Sequence, residues 1–421
     1  MSSFALSDHE RSVVEHFSNY GTDAEQRRAQ IILLSEAGTS ATAIAEVVKL
    51  SESQVYRWRR EWRDSGLAIF PQDSATEPAG ESLADESAPA EPLLPGVTEP
   101  RLALVLQKDV GMLPDDAMAE AGRKALYFHF ERMLLNEPGS RLGEDIEAVH
   151  DMRVATRRMR SALRLFAPFF KTKALKPYRR ELRKLAGLLG DVRDLDVIIE
   201  HARAFEAANP PADLSPLFTI WHKRREKARR ALITYLDSAA FGKFVKDFNK
   251  FLSTPGKGAK SLPESDDPTA YQVRHIAPRL IYEHYEQVRA YETVLDGASL
   301  DMLHALRIDF KRLRYALEFF TDVLGSEAGP VIKVIKGMQD HLGDLNDARV
   351  ASAVLHAFVD RYNNKYSGVP VFMRPDLSGV IAYAAARDTH REELFATFPD
   401  AWATFADDEV RRNLALAVAA L

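Results

Sequence analysis

A long internal repeat constrains the fold of this chain more than any other feature of its sequence. The segment HDMRVATRRMRSALRLF, which begins at residue 150, returns as HALRIDFKRLRYALEFF at residue 304 without a gap. A second pair, LGDVRD at residue 189 and LGDLND at residue 342, follows at nearly the same offset. The two copies lie 154 residues apart, well above the roughly 20–50 residues of solenoid repeats. The repeat therefore predicts a duplicated helical bundle with two pseudo-symmetric halves.

Helical patterns dominate the rest of the chain. Runs that alternate β-branched and polar residues, which would indicate strands, are scarce. We therefore expect an all-α protein with a small N-terminal helical module, residues 1–70, and a large domain, residues 111–421. The two repeats of the large domain span residues 115–252 and 271–421. Residues 71–110 are predicted to be an acidic, proline-rich linker, because residues 72–100 contain seven acidic side chains and no Lys or Arg.

One helix of each repeat carries a row of cations on a single face. A helix turns by about 100° per residue, so offsets of 0, 3, 7, 10 and 14 fall within an arc of about 80°. The first row consists of His150, Arg153, Arg157, Arg160 and Arg164. The second row consists of His304, Arg307, Lys311 and Arg314. Apolar residues occupy the opposite faces, so each helix is predicted to have a core face and a cationic face.

A solvated surface is the simplest alternative explanation of these rows. Such surfaces usually mix charges, because opposite charges at i,i+4 stabilise a helix and like charges destabilise it. The first row instead holds four arginines and no acid. Arginine binds phosphate through two parallel hydrogen bonds, and a row of arginines suits a linear chain of phosphates. We therefore predict that the two rows face each other across one polyanion-binding groove.

Other basic residues are predicted to widen this groove. Residues 150–184 contain twelve Lys or Arg and two acids, although the whole chain has a net charge of −5. Such a block indicates a polyanionic partner. On the helix after the first row the candidates are Arg180, Arg183 and Lys184, with Lys333 and Lys336 at the equivalent places in the second repeat. A third row consists of His222, Arg225 and Arg229, with Arg387 and Arg391 as counterparts of the two arginines.

His150 and His304 head the same pattern, and we interpret them as ligand contacts. The weaker alternative is a metal site formed with nearby carboxylates. Those carboxylates are Asp191, Asp194, Asp344 and Asp347. The Gly-Asp pairs in these segments are more simply interpreted as helix ends and turns. Because the rows provide no nucleophile and no converging carboxylates, we expect neither catalysis nor a cofactor or metal.

The two rows and the LGDVRD segment together resemble the signature motifs of the CHAD domain family, the conserved-histidine α-helical domain. The resemblance covers about residues 115–420. It implies two pseudo-symmetric bundles around a basic channel, binding of inorganic polyphosphate and, for many members, location on polyphosphate granules. Glu318 departs from the basic row, which places ligand contact at that end in doubt. Some relatives carry a triphosphate-tunnel hydrolase domain, but its Glu-x-Glu-x-Lys signature is absent here, so hydrolysis is not implied.

Residues 41–60, ATAIAEVVKLSESQVYRWRR, resemble a helix-turn-helix of the transposase or regulator type. The second helix of such a motif would offer polar side chains to DNA. The candidate DNA contacts are Ser51, Ser53, Gln54, Arg57 and Arg60. Lys49 stands where such turns usually have glycine, and residues 1–70 hold ten acids against eight Lys or Arg. DNA binding through residues 41–63 and protein contact or dimerisation are therefore equal alternatives for this module.

These observations favour a non-catalytic protein that binds inorganic polyphosphate. The alternative is a DNA-binding regulator whose helical domain senses polyphosphate or another polyanion. The absence of cysteine excludes disulfides and thiolate metal sites. The N-terminus lacks the basic and apolar regions of a secretory signal, and no apolar run approaches the ~20 residues of a membrane span. We therefore expect no membrane partner and a cytoplasmic location, on polyphosphate granules or at the nucleoid.

Overall fold

The chain forms two compact units, residues 1–91 and 92–421, in the computed structural model. The structure describes residues 6, 8–20, 23–48, 55, 58, 59, 62, 107–143, 146–261 and 267–421. The division between the units falls inside the segment predicted to be a linker. Most of that segment, residues 71–106, lies outside the described residues.

The described part of the first unit includes three short helices with defined bounds. They are α1 (Asp8–Tyr20), α2 (Asp23–Glu36) and α3 (Ala41–Val48). Gly38 has a positive φ of 78°, which suits the turn after α2, and the Ser40 hydroxyl accepts a hydrogen bond from the Ala43 amide at 3.2 Å as α3 begins. Ile44 and Val48 are buried together with Val55. The five candidate DNA contacts lie outside the described residues.

The second unit is all helical in its described residues. Its first half contains α4 (Met118–Leu135), α5 (Glu137–Leu142), α6 (Ile146–Leu165), α7 (Thr172–Ala208), α8 (Ser215–Leu236) and α9 (Ala239–Leu252). Its second half contains α10 (Val273–Arg289), α11 (Leu300–Phe319), α12 (Ala328–Lys365), α13 (Ser378–Ala396), α14 (Phe398–Ala406) and α15 (Asp408–Ala419). The prediction of an all-α fold is confirmed.

The helix that carries the cationic row and the helix that follows it match in length between the two halves. The cationic rows lie on α6 and α11, which have 20 residues each. Each is followed by a long helix, α7 with 37 residues and α12 with 38. Helices of this length extend about 55 Å. Matching lengths are what a duplicated bundle predicts, and the duplication itself remains an interpretation of the sequence repeat.

The interpretation of the Gly-Asp pairs as helix ends was wrong. Gly190 lies inside α7 and Gly343 lies inside α12. A β-carbon on Gly190 would lie 4.0 Å from Arg153 Nε, and one on Gly343 would lie 3.9 Å from Arg307 Nε. Both distances are ordinary van der Waals contacts, so the side chains of Arg153 and Arg307 pass beside these glycines within the two long helices.

Two cores hold the second unit together. In the larger one the halves meet directly, because the ring of Phe166, after α6, lies 6.1 Å from that of Phe319 and 5.8 Å from that of Phe320. A smaller distal core joins the far ends of α7 and α8 to α12 and α13. There the ring of Phe205 lies 4.9 Å from that of Tyr383. None of the described helices is long and apolar enough to cross a membrane.

Candidate polyanion-binding site

The cationic faces of α6 and α11 open onto one cavity of about 600 Å³, which we call the central groove. The helix α10 forms the third wall of this cavity. The basic residues that line it are Arg157, Arg160, Arg164, Arg279, Arg307, Lys311 and Arg312. The structure thus brings together residues of both rows, as the gapless repeat predicts for one shared groove.

Lys311 lies among cations from both halves of the unit. Burial, together with the neighbouring charges of Arg157 and Arg307, lowers the pKa of its ammonium group to about 7. Burial also lowers the pKa of Arg157. No acidic side chain of the described residues pairs with Lys311, Arg157 or Arg307 within the groove.

Two guanidinium nitrogens of the groove are buried without a hydrogen-bond partner in the described part of the chain. They are the Nε atoms of Arg157 and Arg307. A buried charge that is neither paired nor hydrogen-bonded destabilises a protein by several kcal/mol. The central groove therefore concentrates positive charge that the described protein groups do not neutralise, and an anion would stabilise it.

The two histidines lie near the beginnings of α6 and α11, outside the lining of the central groove. Burial and the charge of Arg193 lower the pKa of His150, whose Nδ1 has no hydrogen-bond partner among the described residues. His304 Nδ1 lies 3.0 Å from Asn346 Oδ1. Their sequence positions are equivalent, but their surroundings differ. The described residues contain no group of three or more side chains that could hold a metal ion.

One arginine of each row has an acidic partner. The guanidinium of Arg153 lies 3.2 Å from Asp194 on α7. Arg314 is buried with its Nε 3.4 Å from Glu318, and Glu318 also lies 3.1 Å from Arg158. The acid that interrupts the second row thus neutralises Arg314, which does not line the central groove.

The third row lies on α8, away from the central groove. Arg225 forms an ion pair with the buried Asp196 of α7. Arg229 donates hydrogen bonds to the carbonyl oxygens of Arg141, at 2.7 Å, and Leu142, at 2.6 Å, where α5 ends. His222 lines a separate cavity of about 340 Å³. Helical spacing places these residues on one face, as expected, but that face packs against α5 and α7.

The remaining candidates of the first half lie on α7. Arg180 is exposed, with its Nε 2.9 Å from Glu181. Lys184 places its ammonium group 4.4 Å from the centre of the Tyr235 ring. Burial lowers the pKa of Arg160 most, followed by the charge of Arg164 and then by that of Arg183. Arg183 itself is exposed. Arg183 is thus the candidate on α7 whose charge acts on the central groove.

Their counterparts in the second half are dispersed. Lys333 lines another cavity of about 770 Å³, and Lys336 is exposed. Arg391 lies 3.1 Å from Asp388. Arg387 is half-buried, and its Nε has no hydrogen-bond partner among the described residues. None of these four residues lines the central groove.

The sequence analysis missed the contribution of α10. Arg279, Glu283 and Gln287 from this helix line the central groove. They are spaced by four residues, so they share one helix face, which is the signal that could have identified them. The segment has no counterpart in the recognised repeat, so comparison of the two halves did not reveal it. Arg312 also lines the groove and pairs with Asp309 at 2.6 Å.

Known protein families and structures show similarity to this fold. Residues 124–356, more than half of the chain, match the model of the CHAD domain, and residues 22–69 match that of a homeodomain-like domain. No curated protein sequence matches significantly. The crystal structure of the CHAD domain from the plant Ricinus communis is similar at 23% identity and a TM-score of 0.51, over 74% of this chain and 96% of that chain. PptA from Streptomyces chartreusis is similar at 17% identity and a TM-score of 0.49, over 68% of this chain and 99% of that chain.

Proposed function

The chain belongs to the CHAD domain family, and from this premise we propose that it binds inorganic polyphosphate in the central groove. The observation that carries the proposal is the unneutralised charge of Arg157, Arg307 and Lys311 from two facing helices. A bound polyanion would supply the hydrogen-bond acceptors and the negative charge that these side chains lack.

A linear phosphate chain fits the arrangement better than a single phosphate does. Arg157, Arg160 and Arg164 extend about 10 Å along α6. Arg307 and Lys311 face them from α11. A chain of phosphates can therefore contact several cations on both walls at once.

The groove is poorly suited to nucleic acid. Single-stranded nucleic acids are bound largely by stacking of bases on accessible aromatic rings. Tyr315 and Phe319 contribute to the lining, but they are only 3% and 2% exposed. This burial leaves little ring surface for a base, and it supports inorganic polyphosphate as the preferred polyanion.

We propose a binding role without hydrolysis. Metal-assisted phosphoryl transfer needs several converging carboxylates or a positioned base. Among the described residues that line the central groove, Glu283 is the one carboxylate. Location on polyphosphate granules would follow from such binding and is part of the same proposal.

A second function is proposed for the N-terminal unit. The match of residues 22–69 to a homeodomain-like domain favours DNA binding over protein contact. The candidate contacts remain Ser51, Ser53, Gln54, Arg57 and Arg60. A protein with both activities would join a DNA site to polyphosphate.

Titration of the full-length protein with long-chain polyphosphate, single-stranded RNA and duplex DNA, at one salt concentration, tests the first proposal. Polyphosphate should bind most tightly per phosphate, and Arg157→Glu should weaken its binding by about 100-fold. Lys246→Glu, which makes the same change of sign on the exposed face of α9, should have little effect. Equal loss in both variants, or displacement of polyphosphate by equal amounts of RNA, would contradict the proposal.

A further inference from the structure

A second groove lies between α8 and α12, outside the central groove. It consists of two adjoining cavities of about 380 and 310 Å³, which share Arg224, Val354 and Arg361. We call it the outer groove. None of its lining residues belongs to the central groove, so the two surfaces can act independently.

The floor of the outer groove is apolar and accessible. Val350 is 49% exposed on α12, and Ile220 is 39% exposed on α8. Ala353 and Ala357 are exposed one turn apart, beside the half-buried Val354. Apolar residues at this spacing normally face a packing partner, and alanines at one-turn spacing allow another helix to approach closely.

The rim of the outer groove is basic. It contains Arg224 from α8, and Arg349, Arg361 and Lys365 from α12. No acidic residue belongs to the described lining of either cavity. Arg224 and Arg361 are exposed, so their charge faces solvent at the edge of the apolar floor.

Comparison of the two halves shows that the fold does not require this rim. The sequence repeat relates α8 to α13 at an offset of 162 residues, so Arg224 corresponds to Ala386. It relates α12 to α7 at an offset of 153 residues, so Arg361 corresponds to Ala208. Both alanines lie in helices of the same bundle. The repeated helices can therefore form with alanine at these positions, so Arg224 and Arg361 are specific to the outer groove.

We propose that the outer groove binds an amphipathic helix of a partner protein, with a small apolar face and acidic flanks. Its apolar face would cover Val350, Val354 and Ile220, and its carboxylates would meet the basic rim. A bare phosphate chain has no apolar surface to cover the floor. The groove follows α12 from Arg349 to Lys365, about 24 Å, which corresponds to roughly four turns of a bound helix.

A labelled synthetic peptide tests this assignment. The probe is a 16-residue helix with Leu and Ala on one face and Glu on the other, and its control is a scrambled peptide of the same composition. Fluorescence anisotropy with the full-length protein should show saturable binding at one site. The scrambled peptide should bind about tenfold more weakly, because the apolar contacts require the helical spacing.

Three variants locate the binding site. The double variant Arg224→Glu with Arg361→Glu should weaken binding of the probe peptide by about tenfold or more. Ala357→Gln, which adds bulk and no charge, should also weaken it. Arg230→Glu, an exposed position of α8 outside both cavities, is the matched control and should bind like the unmodified protein. Thermal unfolding monitored by circular dichroism confirms that each variant is folded.

Several outcomes would overturn the proposal. Equal affinity for the probe and the scrambled peptide would mean charge attraction alone, and absence of saturable binding would mean no helix site. Unchanged binding in both the double variant and Ala357→Gln would place the peptide elsewhere. If the double variant loses polyphosphate binding as strongly as Arg157→Glu, the outer groove belongs to the phosphate surface instead. Ala357→Gln should bind polyphosphate like the unmodified protein, because Ala357 lies outside the central groove. This measurement distinguishes failure of the outer-groove proposal from failure of the central-groove proposal.

Discussion

The rows on α6 and α8 have the same helical spacing but opposite surroundings. On α8, Arg225 pairs with buried Asp196, and Arg229 donates to carbonyl oxygens of α5. On α6, Arg157 is half-buried among other cations, and its buried Nε has no hydrogen-bond partner in the described residues. The difference shows that spacing identifies a shared face, whereas the presence or absence of a counter-charge separates a structural role from a binding role.

The largest expected effect is a loss of stability when the row on α8 is disrupted. Arg225→Ala should lower the free energy of unfolding by about 3–5 kcal/mol, because it leaves Asp196 buried without its ion-pair partner. Polyphosphate affinity measured below the melting temperature should change little. Equilibrium urea unfolding and a polyphosphate titration measure the two quantities. Unchanged stability with a large loss of affinity would place the α8 row in the binding site.

Arg157→Met should have the opposite effects to Arg225→Ala, with higher stability and weaker polyphosphate binding. Removing a half-buried charge that has no ion-pair partner should raise the free energy of unfolding by about 1–2 kcal/mol in the absence of polyphosphate. The same change should weaken polyphosphate binding by about tenfold or more, because one buried cation is lost. The same two measurements apply, and Lys246→Met on the surface of α9 is the control. A loss of stability would show that Arg157 has a structural role like that of Arg225.

Lys311 should make binding depend on pH. Its pKa of about 7 means that the ammonium form, which attracts phosphate, is depleted above neutral pH. Because a bound polyanion raises this pKa, binding takes up a proton above pH 7, and affinity should fall by up to about tenfold per pH unit there. Lys311→Arg should remove most of this dependence. Calorimetry in buffers of different ionisation enthalpy measures the proton uptake directly.

Two observations would separate Lys311 from other titrating groups. His150→Gln should leave the dependence above pH 7 intact, because burial lowers the pKa of His150 from its usual value near 6.5. In the protein without polyphosphate, a depressed lysine pKa means that the unfolded chain binds more protons. Stability should therefore rise as pH increases above about 7, and this rise should be smaller in Lys311→Met. Equal proton uptake in Lys311→Arg would assign the effect to another group.

The smallest effect concerns Arg153, which has a partner and lies beside the groove cations. Asp194 is 73% exposed, so its ion pair with Arg153 contributes at most about 1 kcal/mol. Asp194→Asn should release Arg153 for phosphate and tighten polyphosphate binding by up to about fivefold. Asp360→Asn, at an exposed position of α12, controls for the change in net charge. Weaker binding in Asp194→Asn would mean that the aspartate positions Arg153 for the ligand.

Helical periodicity was sufficient to predict the all-α class and the faces of α6 and α11 that share the groove. It could not predict Arg279 and Glu283, because the repeat comparison did not include α10. It also could not show that Arg225 packs against Asp196, since the pairing joins helices that only the tertiary fold brings together. The Gly-Asp segments were misjudged because glycine is common at helix ends, whereas Gly190 and Gly343 lie inside the long helices α7 and α12.

The contact of Phe166 with Phe319 and Phe320 has a kinetic consequence. These rings join the two halves in one core, so the separation of the groove walls is set before any ligand arrives. A preformed site needs no closing motion, and encounter is then governed by the field of its cations. Association with polyphosphate should accordingly be fast and should slow steeply as ionic strength rises. Variants that remove or reverse a groove cation should therefore lose affinity partly through slower association.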